Sequence, residues 1–291
     1  MKLAINIGTV KNLIKLQFPQ WSALAITSVK QSGWDNYSFR LGDDKLIRLP
    51  SHNDYAASVK KEQRWLPFLA SHLSLQTPNP IALGEPSEYF PLPWSIYQWI
   101  EGNTLDSADV TSMNQLAIGL SNFLKSLHRI DTSNGPHPGK ENFYRGGALS
   151  IYDGQTRQAI KLLKNKIDTT NAIQIWETAL SSHWEDKAVW VHGDISMGNI
   201  LIKDGNLTAI IDFGQTCVGD PACDLVSYWT FLIGEAANTF KEAMYLNEQA
   251  WQRARGWALW KFLIVESGIS PWNKFEGRYS KEVLDRILNN E

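Results

Sequence analysis

The chain is poor in cysteine and has no large excess of charge of either sign. Only Cys217 and Cys223 occur among 291 residues, and two cysteines supply neither a disulfide framework nor a zinc pattern. We therefore expect reduced thiols. The formal net charge of −2 gives no basic field of the kind that attracts nucleic acid, so we expect no nucleic-acid partner.

Long apolar runs are also missing. The N-terminal stretch MKLAINIGTVKNLIKLQF is interrupted by Asn6, Gly8 and Lys11, and it lacks a cleavage site of small residues. We therefore expect no signal peptide. No uncharged apolar segment reaches transmembrane length, so we expect no membrane partner and a cytoplasmic location. The sequence leaves the oligomeric state open.

The length and the residue patterns predict two lobes. In the first hundred residues, a hairpin of strands at 37–41 and 45–49 precedes a helix at 55–73, and an apolar strand follows at 94–100. The rest has mostly helical spacing. We predict an α+β fold with a small β-rich N-lobe at residues 1–100 and a large, mostly helical lobe at 101–291. The second lobe would contain helices at 110–130, 151–163, 171–184, 226–246, 249–266 and 281–288.

The most informative segment is VHGDISMGNILIKDGNLTAIIDFGQTCVGDPACDL, at residues 191–225. Asp194 and Asn199 lie five positions apart in a polar loop that leads into a short apolar strand. The run Asp204-Gly205-Asn206 signals a hairpin turn, because Gly and Asn tolerate a positive φ. The return strand would then bring Asp212 back beside Asn199.

These three polar residues predict a particular chemistry. The carboxylate of Asp212 and the amide oxygen of Asn199 are hard ligands of the type that Mg²⁺ prefers. Asp194 is a second carboxylate, which could orient or deprotonate a hydroxyl. The same ordered set serves phosphoryl transfer in the protein-kinase superfamily. A lone Asp-Phe-Gly would indicate only a hairpin with solvated carboxylates, but the complete set is more specific.

Candidate nucleotide contacts lie in the first hundred residues. Side chains alternate along a strand, so Leu46 and Arg48 share one face. Leu46 would cover the adenine, Arg48 would reach the phosphates, and Glu62 on the following helix would pair with Arg48. Residues 33–36 could form the loop over the phosphates. They contain only one glycine, so they do not match the glycine-rich loop of protein kinases. Alternatively, Arg48 and Glu62 are ordinary surface charges.

A second group would contact the base of the nucleotide. The strand WSIYQWI is followed by the polar connector Glu101-Gly102-Asn103, which is where a hinge between lobes would lie. The carbonyl of Gln98 and the amide of Ile100 would then meet the adenine edge, and Leu201 completes the expected contacts. A buried strand followed by a turn explains these hinge residues equally well.

With these residues identified, the chain resembles the aminoglycoside phosphotransferase family over most of its length. The strongest matches are VHGDISMGNILI, IIDFG and GDPACDL, and GWDN, RLP, Glu62 and WIEG give weaker support. The resemblance implies a two-lobed, protein-kinase-like fold around an ATP cleft, with GTP as an alternative. The nucleotide-binding lobe would be residues 1–100, and the catalytic and acceptor-binding lobe would be residues 101–291. It also implies Asp194 as the catalytic base and Asn199 and Asp212 as the Mg²⁺ ligands. Many members have Lys where this chain has Arg48, which is bulkier and forked.

The resemblance implies transfer of the γ-phosphoryl group to a hydroxyl of a small molecule. An aminoglycoside antibiotic is the first expectation for this acceptor, ahead of a macrolide and of a cellular metabolite such as an amino alcohol or a sugar. A polycationic acceptor would favour Asp220, Glu235, Glu242 and Glu266 as an acidic wall, whereas a macrolide would favour Tyr228, Trp229, Phe231 and Trp257. A protein kinase is disfavoured, because no room remains for an activation loop after Gly214. A non-catalytic nucleotide-binding pseudokinase stays open.

Overall fold

The computed structural model describes residues 5–29, 35–270 and 279–290, which divide into two compact units. The first unit takes the described residues of Met1–Ala108, together with Gly198–Lys203 and Thr208–Gln215. The second takes the described residues of Asp109–Met197, Asp204–Leu207 and Thr216–Glu291. A single division after residue 100 differs from this arrangement, because two segments from the middle of the sequence belong to the first unit.

The helices and strands are numbered in chain order. They are α1 (Ile7–Gln17), β1 (Ile26–Ser28), β2 (Asn36–Leu41), β3 (Lys45–Pro50), α2 (Ala56–Ala70), β4 (Pro80–Gly84), β5 (Trp94–Gln98), β6 (Asn103–Thr104), α3 (Met113–His128), α4 (Asp153–Leu162), α5 (Thr169–Ser181), β7 (Val189–Val191), β8 (Ile200–Lys203), β9 (Asn206–Ile210), β10 (Cys217–Gly219), α6 (Ser227–Thr230), α7 (Glu235–Met244), α8 (Glu248–Glu266) and α9 (Ser280–Asn289). Within the described ranges, no helix has the length and apolar character needed to cross a membrane.

The first unit contains an antiparallel sheet in the order β1-β2-β3-β5-β4. On β3, Ile47 and Leu49 are fully buried and form a core with apolar residues of α1, including Leu13. The intervening Leu46 and Arg48 are half-buried, as strand alternation requires. The predicted shared face for Leu46 and Arg48 is therefore confirmed.

The predicted hairpin after Asn199 is also confirmed. Strands β8 and β9 are joined by Asp204 and Gly205, whose φ angles are 51° and 74°. Two consecutive positive φ angles are typical of the tight turns that match the twist of a hairpin. A Cβ atom on Gly205 would lie 2.1 Å from Thr111 Oγ1, so the close approach also requires glycine here.

The second unit is mostly helical and contains a short antiparallel pair, β7 with β10. Several of its helices begin at the polar caps that their sequences favour. Ser112, Asp168 and Asn247 each accept a hydrogen bond from the backbone N–H three residues later, at the start of α3, α5 and α8. These caps set the helix starts from local chemistry alone.

One helix prediction was wrong. The apolar spacing at 226–246 predicted a continuous helix, but the structure has α6 and α7, which are separated by a break at 231–234. Gly234 in this break has a φ of 60°, which a continuing right-handed helix does not allow. The break therefore divides a segment in which the apolar periodicity alone favoured one helix, and Gly234 directly precedes α7.

Candidate active site

Arg48 contacts two carboxylates in the first unit. Its Nη2 donates to Oδ2 of Asp212 at 2.8 Å, and its Nη1 lies 3.5 Å from Oε1 of Glu62. The expected partner Glu62 is therefore close, and Asp212 lies closer still. The side chain of Arg48 is 12% exposed and that of Glu62 is 4% exposed. One guanidinium thus bridges two acidic groups in a largely desolvated setting.

Tyr97 is a member of this cluster that sequence reasoning missed. Its hydroxyl donates to Oε2 of Glu62 at 2.6 Å, and both residues are buried. Tyr97 lies on β5 directly opposite Leu46 of β3, and Ser95 lies opposite Arg48. Because cross-strand partners share a face, the strand alternation that selected Leu46 and Arg48 could also have pointed to Tyr97.

Burial and charge oppose each other in this cluster. Burial raises the pKa of Glu62, whereas the charge of Arg48 and the hydrogen bond from Tyr97 lower it. Burial alone disfavours the Arg48 cation, but Asp212 and Glu62 raise its pKa above the ordinary value. Burial also raises the pKa of Tyr97 well above its usual range, so the phenol keeps its proton for Glu62.

Asn199 and Asp212 are brought together at the open end of the β8–β9 hairpin. The N–H of Ile211 donates to the carbonyl of Asn199 at 2.9 Å, one residue before Asp212. Asp212 has a φ of 66°, a region that few residues other than glycine adopt, and its side chain is 25% exposed. A partly exposed carboxylate beside an amide residue fits the oxygen donors that Mg²⁺ takes together with waters and phosphates.

The expected base-binding residues all belong to the first unit. Leu46 is half-buried on β3, and Leu201 is 7% exposed on β8, opposite Thr104 of β6. Gln98 ends β5 with an exposed side chain, and Ile100 is half-buried in the connector that follows. Their contact with a nucleotide remains a prediction. The expected phosphate loop at 33–36 includes residues 33 and 34, which lie outside the described residues.

In the second unit, Asp194 lies on a loop whose backbone is hydrogen-bonded to Asp224. The two oxygens of Asp224 accept hydrogen bonds from the N–H groups of His192 and Gly193, each at 2.7 Å. Asp224 is fully buried, and burial raises the pKa of its carboxyl, whereas His192 and the two N–H donors lower it. Gly193 has a φ of 85°, and the N–H of Asp194 donates to His192 Nδ1 at 3.2 Å. The backbone that presents Asp194 is therefore held rigidly.

A small cleft lies beside Asp194, and it contains two cations. Lys261 of α8 places Nζ 3.6 Å from Oδ1 of Asp194. Arg145 donates through Nε to the carbonyl of Gly193 at 2.9 Å, and its guanidinium carbon lies 5.4 Å and 4.9 Å from the ring centroids of Trp257 and Trp260. The cleft is lined by Arg145, Gly193, Asp194, Ile195, Cys223, Val226, Trp257, Trp260 and Lys261.

The glycine-rich segment Arg145-Gly146-Gly147 indicates a surface loop that could contact a ligand, and nothing in the sequence selects Lys261. Arg145 lies in a glycine-rich loop, and the structure places its half-buried side chain in the cleft. No local pattern distinguishes Lys261 from the other charged residues of α8. Its place beside Asp194 depends on the packing of the second unit.

The expected acidic wall does not form in this cleft. Asp220 is buried in an ion pair with Arg253 at 2.6 Å, and Glu266 accepts from Ser280 at 2.5 Å. Glu235 and Glu242 are exposed on α7, and among the described residues none of these four carboxylates lines the cleft. Of the expected apolar set, Trp257 lines it, while Trp229 and Phe231 are buried elsewhere in the core.

Comparison with known proteins identifies the family. The model of the phosphotransferase enzyme family, APH, matches residues 28–258. Protein YcbJ of Bacillus subtilis strain 168, which is uncharacterised, is 25% identical over 210 residues. That match covers 65% of this chain, and the chain spans 63% of the length of YcbJ.

Solved structures share the fold. The GDP and kanamycin complex of APH(2")-IIia has a TM-score of 0.73 at 17% identity, covering 97% of this chain and 99% of that one. Macrolide 2'-phosphotransferase MphH from Brachybacterium faecium has a TM-score of 0.62 at 20% identity, covering 98% and 99%. The expected kinase-like α+β fold is thereby confirmed. Since the family model covers most of the chain, the protein belongs to the phosphotransferase enzyme family.

Proposed function

We propose that the protein transfers the γ-phosphoryl group of ATP to a hydroxyl of a small molecule. The observation that carries this proposal is the cluster of Arg48, Glu62 and Asp212 beside Asn199. A guanidinium, a carboxylate and an amide oxygen are the groups that bind nucleotide phosphates and their metal. Membership of the phosphotransferase enzyme family supports the same reaction.

Arg48 would bind the phosphates, with Glu62 and Tyr97 holding its guanidinium in place. Asn199 and Asp212 would hold Mg²⁺, which supplies positive charge to the phosphate oxygens when it is bound. Leu46, Leu201, Gln98 and Ile100 would form the base pocket. GDP and ADP occur in solved structures of this fold, which supports a nucleotide but leaves GTP as an alternative to ATP. Residues 1–100 would thus supply most of the nucleotide contacts.

Asp194 would receive the acceptor hydroxyl. Its loop backbone is fixed by Asp224, so the carboxylate is presented before the acceptor arrives. Orientation of the hydroxyl and removal of its proton are the contributions that such a group makes to phosphoryl transfer. We therefore assign the catalytic role to Asp194 and the acceptor-binding role to residues 101–291.

The charges in the cleft beside Asp194 narrow the choice of acceptor class. Kanamycin and gentamicin are bound in solved structures of related fold, and other neighbours are macrolide phosphotransferases, so both antibiotic classes are candidates. A polycationic aminoglycoside would be attracted by carboxylates. The cleft beside Asp194 instead contains Lys261 and Arg145, which repel such an acceptor. A metabolite is therefore a stronger candidate than the aminoglycoside that the family resemblance favours.

The reaction can be tested with γ-labelled ATP and a panel of aminoglycosides, macrolides, polyols and hydroxy acids. We expect label on at least one acceptor, and we expect Asp194→Ala to reduce turnover by about 10²- to 10⁴-fold with little change in nucleotide affinity. Asp186, an exposed aspartate of the same unit, supplies the control Asp186→Ala. Nucleotide binding without transfer to any acceptor would favour a non-catalytic pseudokinase. Retained turnover in folded Asp194→Ala would remove Asp194 from its assigned role.

A further inference from the structure

We infer that the acceptor is a hydroxyl compound bearing an anionic group, a carboxylate or a phosphate, and that Lys261 binds this group. The inference rests on the proposed phosphotransferase function and specifies its acceptor. It follows from the charges of Asp194, Lys261 and Arg145, three residues of the second unit that line one cleft.

Lys261 forms an ion pair with the proposed catalytic carboxylate. Its Nζ lies 3.6 Å from Asp194 Oδ1, and its side chain is 12% exposed. A hydroxyl that meets Asp194 therefore brings its neighbouring substituents close to an ammonium group. In a partly desolvated cleft, a charge-assisted hydrogen bond from this ammonium to an anion is stronger than the same contact in water.

Arg145 adds a second positive charge to the same cleft. Its position is fixed by the hydrogen bond to the Gly193 carbonyl and by the faces of Trp257 and Trp260. A fixed cation attracts an anion without first losing the freedom of a long side chain. We expect Arg145 to act through its field, while Lys261 makes the direct contact.

The two nearby carboxylates, Asp194 and Asp224, already have other roles. Asp194 is needed for the hydroxyl, and Asp224 lies under the loop with both oxygens accepting backbone N–H groups. An ammonium group of an acceptor would thus find two like charges and little compensation. Repulsion of this kind excludes wrong partners, so the cleft selects against polycations as well as for anions.

A larger concavity of about 600 Å³ lies in the first unit and is a weaker candidate for the acceptor. Its described lining, at residues 5–8, 28–29 and 37–39, contains no carboxylate or cation. It also borders segments outside the described residues. The cleft beside Asp194 is far smaller, at about 10 Å³, but it alone of these two carries the proposed catalytic group.

The test uses matched acceptors that differ in one anionic group. Glycerate and glycerol 3-phosphate are compared with glycerol, and 4-hydroxybutyrate is compared with 1,4-butanediol, while kanamycin is the polycationic reference. Binding is measured by calorimetry with nucleotide present, and transfer is measured from γ-labelled ATP. We expect an anionic compound to bind at least tenfold more tightly than its neutral partner. Whichever of glycerate and glycerol 3-phosphate binds more tightly shows whether the anionic group is a carboxylate or a phosphate.

Variants of Lys261 separate charge recognition from folding. We expect Lys261→Gln to weaken binding of the anionic acceptor by about 10- to 100-fold and to change binding of the neutral partner by less than about twofold. Lys261→Arg should restore part of the loss, and Lys261→Glu should invert the preference. Lys241 of α7, which pairs with Glu248 of α8 and is not in the cleft lining, supplies the control Lys241→Gln.

The outcomes distinguish this inference from the proposed function. The inference would be overturned if kanamycin or the neutral polyols were phosphorylated in preference to the anionic compounds and Lys261→Gln changed neither binding nor transfer. The proposed phosphotransferase function would then still stand. Absence of transfer to every acceptor would contradict the proposed function. In that case, equal binding of the paired compounds would overturn the inference as well, whereas a Lys261-dependent preference for the anion would support its binding part.

Discussion

The guanidinium of Arg48 is hydrogen-bonded to the carboxylate of Asp212, with 2.8 Å between Nη2 and Oδ2. The two residues are 164 positions apart in the sequence, and they carry two different proposed roles, phosphate binding and metal binding. Glu62 is the more distant partner of Arg48, at 3.5 Å. When a nucleotide with its metal binds, its phosphates would therefore compete with Asp212 for Arg48. Nucleotide affinity should thus depend on both Arg48 and Asp212.

Substitution of Arg48 tests the cation. We expect Arg48→Ala to weaken nucleotide binding and turnover by at least tenfold, because the phosphates lose a charge-assisted donor. Arg48→Lys should keep a substantial part of both, since the charge remains while the forked geometry is lost. A double-mutant cycle with Glu62→Gln, measured by nucleotide calorimetry, gives the coupling between the two side chains. Strict additivity would show that the 3.5 Å contact has no role in nucleotide binding.

Substitution of Asp212 tests the metal site. Asp212→Asn should reduce Mg²⁺-dependent nucleotide binding much more than binding in the presence of a chelator, because a charged oxygen ligand becomes a neutral one. Asn199→Ala should act in the same direction and more weakly. The measurement is nucleotide affinity across a Mg²⁺ titration. A parent-like Mg²⁺ response in both variants would exclude these residues as ligands.

Tyr97 should matter for stability and for nucleotide binding. Tyr97→Phe removes the donor at 2.6 Å from Glu62 and leaves a buried carboxylate less well satisfied. We expect the free energy of unfolding to fall by about 1.5–3 kcal/mol, the usual range for a hydrogen bond to a charged group. Nucleotide affinity should fall too, since Glu62 holds Arg48. Tyr89→Phe, at an exposed tyrosine of the same unit, is the control. Loss of stability with parent-like nucleotide affinity would reduce Tyr97 to a structural role.

His128, the last residue of α3, should make stability depend on pH. The structure places it at the C-terminal end of this helix. Burial lowers its pKa from 6.5 to about 4, and its Nε2 is buried although the side chain as a whole is half-buried. Between these two pKa values the unfolded chain binds more protons than the folded one. Stability is therefore complete above pH 6.5 and falls as the pH drops through 4.

For a pKa shift of this size, the free energy of unfolding falls by about 3 kcal/mol in all. Urea unfolding of the parent and of His128→Leu at several pH values measures it, because the difference between the two profiles removes the contribution of the carboxylates. His183→Leu, at an exposed histidine, should leave the profile of the parent unchanged. Parallel profiles for the parent and His128→Leu would contradict the prediction.

Part of this protein was readable from the sequence because local backbone chemistry determines it. The hairpin between Asn199 and Asp212 follows from Asp204-Gly205, since two positive φ angles are tolerated at these residue types. Helix starts follow from Ser112, Asp168 and Asn247, whose side chains satisfy the first N–H groups. Glycine at position 234 was also visible, but the apolar periodicity around it favoured one helix where the structure has two.

The sequence by itself thus predicted the strands β2, β3, β5, β8 and β9, most helices, the family and a set of candidate catalytic residues. Apart from the expected pairing of Arg48 with Glu62, tertiary structure decided which charges meet. The Arg48–Asp212 bond, the Tyr97–Glu62 bond and the two cations beside Asp194 join residues from distant parts of the chain. Alternation and helical periodicity specify the face of an element on which a side chain lies. They do not specify which element packs against that face, and this packing decides the environment of Asp194.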